Sequence, residues 1–121
     1  MMWRSFFVRY RYRSGQLVEQ AGLKLKQLKC AAVEGLVEES KELLDEIEKG
    51  EVLDAALIGA CQKVEHYEIA SYGTLIALAT NLGITEAAAL LKETLAEEKG
   101  ADEKLSAIAE EGGDQAATLK K

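Results

Sequence analysis

Glu65, Glu68, Glu98 and Asp102 are the residues of this 121-residue chain whose type and spacing suggest the most specific chemistry. Glu68 interrupts an apolar stripe between Val64 and Tyr72, and Glu98 interrupts another between Thr94 and Leu105. A carboxylate is seldom buried unless something pairs with it. Gly83 is the common centre of the two segments. Glu68 stands fifteen residues before it and Glu98 fifteen after, while Glu65 is eighteen before and Asp102 nineteen after. If both segments are helices joined at Gly83 as an antiparallel hairpin, equal rise per residue brings Glu68 level with Glu98. Glu65 and Asp102 then lie one turn further along, each on the same helix face as its neighbouring acid.

Four acids at one level repel and raise one another's pKa values. A divalent or trivalent cation removes that repulsion, and an all-oxygen donor set suits iron, manganese or magnesium. Four-helix bundles build di-metal centres in this manner, taking acids and often histidine from all four helices. The spacing alone is equally consistent with surface acids that pair with Lys63, Lys99 or Lys104. Glu98 fits that plainer reading least, because its place on the stripe is central.

Other reactive side chains carry less. His66, the single histidine, points about 100° around the helix from Glu65, and a lone helical histidine is more often a surface or interface residue than a ligand. Cys61 on the stripe reads as core packing. Tyr67 and Tyr72 read as packing or bundle-edge residues, and Tyr72, one turn beyond Glu68, is placed to hydrogen-bond a carboxylate. No residue is singled out as catalytic.

The elements that must position the acids follow from apolar periodicity. A helix is expected over about Lys29–Lys49, with Ala32, Leu36, Leu43, Leu44 and Ile47 near helical spacing and Gly50 as its stop. A second runs over about Val52–Leu82, with Leu57, Cys61, Val64, Glu68, Tyr72, Leu75 and Ala79 as its stripe. At the helical rise it is about 45 Å long, a bundle-like length. A third runs over about Thr85–Glu110, with Thr85 as N-cap, Ala87, Leu91, Thr94, Glu98, Ala101, Leu105 and Ile108 as its stripe, and Gly112 and Gly113 at its end. There is no proline, and Ala, Leu, Glu and Lys dominate after residue 30, so the fold class expected is all-α.

Charge divides the chain. Residues 1–13 hold Arg4, Arg9, Arg11 and Arg13 with no acid, alongside Trp3, Phe6, Phe7, Tyr10 and Tyr12. Beyond them, eleven basic residues face twenty-one acids, a net charge near −10. The acidic body argues against nucleic-acid binding by most of the protein. The Arg/aromatic arm has a composition able to bind phosphates and stack on bases. The plainer expectation is a segment, 1–21, that is atypical, poorly ordered and unmatched to the rest, or one that reflects where the reading frame was started. The partial bundle domain is then 22–111, and 112–121 is a frayed tail. Two cysteines are too few for a disulfide scaffold and fit no zinc motif, which suits a reduced cytoplasmic setting. No apolar run approaches the ~20 residues of a membrane span.

The runs LKCAAVEGLVEES (28–40), VLDAALIGA (52–60), QKVEHYEIASYGTL (62–75) and LLKETLAEEKGADEKL (90–105) together resemble the YciF-type ferritin-like stress proteins of bacteria, over roughly residues 22–110. The resemblance implies a ferritin-like bundle in which 29–49 is the helix of a B-to-C crossover, 52–82 is helix C and 85–110 is helix D. Glu65, in VEHYE, matches the helix C ligand position with Glu68 a turn away. Glu98 and Asp102, in EEKGAD, match the helix D carboxylates. The family's first helix, with a glutamate, and most of its second, with a glutamate and a histidine, precede the matched region. Half of the ligand set is therefore expected to be missing here.

Two readings of function follow. One is a stress-associated metal protein, binding iron or manganese at a vestigial di-metal site or at one completed by self-association through the exposed apolar helix faces. The other is a metal-free helical interaction module, or a truncated fragment without function. Oxidase activity is not expected from an incomplete ligand set.

Overall fold

The computed structural model describes residues 28–113 together with Gln16, Glu19 and Gly22. The expectations placed on 1–21, Gln16 and Glu19 apart, on the start of the domain at 23–27 and on the tail beyond Gly113 lie outside the described residues. Among residues 28–113, three α-helices follow one another: α1 (Ala31–Glu46), α2 (Glu51–Asn81) and α3 (Thr85–Ile108). A wider turn, Ala109–Gly113, closes the last helix and contains Gly112 at φ 135°. Among the described residues there is no strand, and no helix is long and apolar enough to cross a membrane. The all-α fold expected from composition is the one observed.

Gly83 makes the hairpin possible. Its φ is +72°, a left-handed value that costs side-chain-bearing residues steric energy. The Ile84 N–H donates to Ala79 O at 2.9 Å, and the Gly83 N–H donates to Thr80 O at 3.1 Å. That pair is the Schellman arrangement, which satisfies the last carbonyls of α2 while reversing the chain. The turn is so short that Thr85, expected as the N-cap, is already the first helical residue. Ile84 takes the cap position with no side-chain hydrogen bond. The first helix also ends earlier than expected. Ile47 turns extended (φ −107°, ψ 128°), and Gly50, at φ 156°, serves as the N-cap of α2 rather than as a stop for α1. Reversing the chain there takes the residues between Glu46 and Glu51.

α3 lies along α2, and Tyr72, Ala79, Ala88 and Leu91 form the core between them, with Ile76, Ala87 and Leu95 packed against it. Leu53, Ala60 and Leu105 continue the buried face toward the open end of the hairpin. α1 contributes no fully buried residue. It is held to α2 by Cys30 Sγ against Tyr67 Oη at 3.2 Å and by Lys63 Nζ to Glu39 Oε1 at 2.6 Å. Because α1 starts beside Tyr67, it leaves the later part of α2 uncovered. Leu75, expected on the inner stripe, is 46% exposed for that reason, and Leu78, Leu82 and Ile84 are exposed with it. Ile108, also assigned to a stripe, is 51% exposed at the end of α3.

Candidate metal centre

α2 and α3 bring Glu65, Glu68 and Glu98 together. One carboxylate oxygen from each lies within 4.8 Å of the other two. The count from Gly83 therefore describes a real level of the hairpin. Among the described residues Glu98 is the most enclosed side chain, at 2% exposure, and Glu65 is buried at 8%. Glu68 is half-buried. Among the described residues, the Oε2 atom of each of the three is buried without a hydrogen-bond partner.

Burial dominates the electrostatics. It pushes the Glu98 carboxyl up to about 10, with the neighbouring Glu65 and Glu68 carboxyls adding to the rise. Glu68 is raised to about 7, first by burial and further by the Glu65 charge, while its hydrogen bond with Glu98 works the other way. Glu98 thus keeps its proton at neutral pH and Glu68 is partly protonated there, which lessens the repulsion among the three acids. Burial also raises the Cys61 thiol, helped by the Glu65 charge. Lys63 does not offset these acids, since it reaches Glu39 on α1. Lys99 and Lys104 are exposed.

Asp102, the fourth acid of the expected level, is not part of this group. Its Oδ1 accepts a hydrogen bond from Gln62 Nε2 at 3.3 Å and lies 3.1 Å from His66 Nε2. Gln62 Nε2 also donates to Ser106 Oγ at 2.9 Å. Gln62 and Ser106 were not singled out from the sequence. The same count would have found them, because Gln62 is twenty-one residues before Gly83, between Asp102 at nineteen and Ser106 at twenty-three after it. His66 faces α3 and engages Asp102, an interface position of the kind expected of a lone helical histidine.

Three carboxyl groups, each with a buried Oε2 atom lacking a hydrogen-bond partner, fit a hard cation. Oxygen donors of this kind hold iron, manganese or magnesium, and a cation would replace the proton that Glu98 keeps in its absence. Asp and Glu oxygens alone do not select among these metals.

Residues 13–118 match the model of a family described as a domain of unknown function, DUF892. Over 98 residues the chain is 60% identical to Protein YciF of Escherichia coli (strain K12), covering 80% of this chain and 59% of that protein. The crystal structure of the E. coli stress protein YciF matches with a TM-score of 0.80 at 56% identity, over 86% of this chain and 65% of that one. The chain thus spans less than two thirds of the length of the relatives it matches.

Proposed function

We propose, for a chain that belongs to the DUF892 family, the function of a stress-associated ferritin-like protein that binds iron or manganese through Glu65, Glu68 and Glu98. The observation that carries this reading is the convergence of three buried carboxylate oxygens that have no hydrogen-bond partner among the described residues. Orphaned buried acceptors cost stability. A cation is the ligand that offsets that cost with an oxygen-only donor set. The association with stress rests on the similarity to YciF. Three carboxylates from two helices are fewer donors than a di-metal centre takes, so the remaining ligands come from outside this cluster. The metal's contribution when bound is charge neutralisation of the three acids and, for iron, redox chemistry.

The test is metal stoichiometry. Purified full chain titrated anaerobically with Fe(II), and separately with Mn(II), is expected to bind a fixed ratio that Glu98→Ala reduces. Folded protein that takes up neither ion would remove the reading.

A second reading, a metal-independent self-associating module, is favoured by a different observation. From Ile69 to Thr85 the chain has no charged side chain, and Leu75, Leu78, Leu82 and Ile84 are exposed there. Contiguous exposed apolar surface marks interaction sites. A chain of net charge −6 meets a second copy with least repulsion where it carries no charge. Sedimentation should show an oligomer whose mass is indifferent to chelator, whereas a strictly monomeric species would end this reading.

A further inference from the structure

The hairpin is closed covalently at Gly83 and open at its other end, and the acid cluster lies near the middle of the paired helices. Three carboxyl groups crowded at one level need their height and separation held by something beyond themselves. One turn further from Gly83 than Glu98, the helices are joined by polar side chains. Gln62 Nε2 bridges Asp102 Oδ1 and Ser106 Oγ, and His66 Nε2 meets the same Asp102 oxygen from the next turn of α2. Gln62 and His66 are four apart and so share a face, and Asp102 and Ser106 are likewise four apart on α3. Asp102 Oδ1 therefore has the Gln62 amide donor and the His66 imidazole nitrogen beside it, and its side chain is only 20% exposed. An acid so engaged, and outside the group of converging oxygens, is poorly set to ligate the same cation.

We infer that Asp102, with Gln62, Ser106 and His66, forms a cross-helix clasp that fixes the height and separation of Glu98 against Glu65 and Glu68, so that Asp102 positions the metal carboxylates and is not itself a ligand. This rests on the metal-binding reading for its consequence, though not for its geometry. Residues that orient metal ligands from behind commonly change affinity by about ten- to hundredfold when removed.

The experiment separates the two roles through the isosteric variant. Asn at 102 keeps an acceptor for Gln62 but removes the charge that a ligand needs. With Mn(II) alone as the probe and the full chain, Asp102→Ala and Gln62→Ala should each weaken binding by about ten- to hundredfold. Asp102→Asn should stay within about threefold of the parent. Equal losses for Asp102→Asn and Asp102→Ala would overturn the clasp and return Asp102 to the ligand set. Amide hydrogen exchange of the metal-free protein supplies a readout that survives if no metal binds. Amides of residues 98–106 should exchange faster in Gln62→Ala and in Asp102→Ala, and at parental rates in Asp102→Asn. Unchanged exchange in Gln62→Ala would overturn the clasp even if metal binding holds. Absent Mn(II) binding with accelerated exchange would remove the metal reading and leave the clasp standing. Gln62→Ala keeps the test decisive should Asp102→Ala fail to fold.

Discussion

The turn end and the acid level of the α2–α3 hairpin are built on opposite principles. Near Gly83 the helices meet through Ala79, Ala88, Leu91 and Ile76, with no charged side chain from Ile69 to Thr85. Farther from the turn, at mid-hairpin, they meet through Glu65, Glu68 and Glu98, and through Asp102 with its amide, hydroxyl and imidazole neighbours, before Leu53, Ala60 and Leu105 resume the apolar face. The turn end is where apolar burial stabilises the fold. The acid level is where the chain forgoes stability, and such local violations of good packing are characteristic of functional sites.

Four measurements would sharpen or break that contrast. The largest effect belongs to the turn end. Leu91→Ala is expected to lower unfolding free energy by about 2–5 kcal/mol in urea titrations, and a loss under about 1 kcal/mol would mean the core there is not the main support. Next, Glu98→Gln should stabilise the metal-free protein at pH 8 by about 1–3 kcal/mol, because the amide removes a buried group that is costly to ionise, while weakening metal uptake. A destabilised Glu98→Gln would contradict the view of the acid level as a site maintained against stability.

The third measurement is pH dependence without metal. Glu98 and Glu68 have folded pKa values raised to about 10 and about 7, from an ordinary 4.5. Above pH 4.5 the unfolded chain has lost protons that the folded chain retains. Stability should therefore fall as pH rises, with both groups contributing up to about pH 7 and Glu98 alone from there to about pH 10. Each contributes at most about 1.4 kcal/mol per pH unit. Melting temperature should drop from pH 5 to pH 8, more weakly in Glu98→Gln, and a rise over that interval would refute the assignment. The smallest effect returns to the turn. Gly83→Ala, forced to φ +72°, should cost about 1 kcal/mol, and should leave metal affinity unchanged if the clasp sets the register at the acid level.

Much of this arrangement was legible in the sequence. The three helices lie within a few residues of their expected spans, and the level of the acids followed from counting around Gly83, because helical rise is the same in both directions. What periodicity could not show is which side of a stripe a neighbour covers. Glu65, outside the expected stripe, proved more buried than Glu68, because it faces Glu98 on α3. Leu75, on the stripe, proved exposed, because α1 covers only the first part of α2. Asp102 illustrates a second limit. Its residue type and height fitted a ligand, while its hydrogen-bond partners depend on a rotation about α3 that spacing leaves open. The cap at Thr85 was missed because the Schellman turn claims both preceding residues.

The interval of thirty residues from Glu68 to Glu98 behaves as a gauge length. Deleting one residue anywhere within it would displace one acid by about 1.5 Å and swing it by about 100° around its axis. Substitutions inside the interval are tolerated by chemistry, residue by residue, whereas insertions and deletions are excluded by geometry regardless of what is inserted. Among chains of this kind, the length between the two acids should therefore drift far less than the letters that fill it.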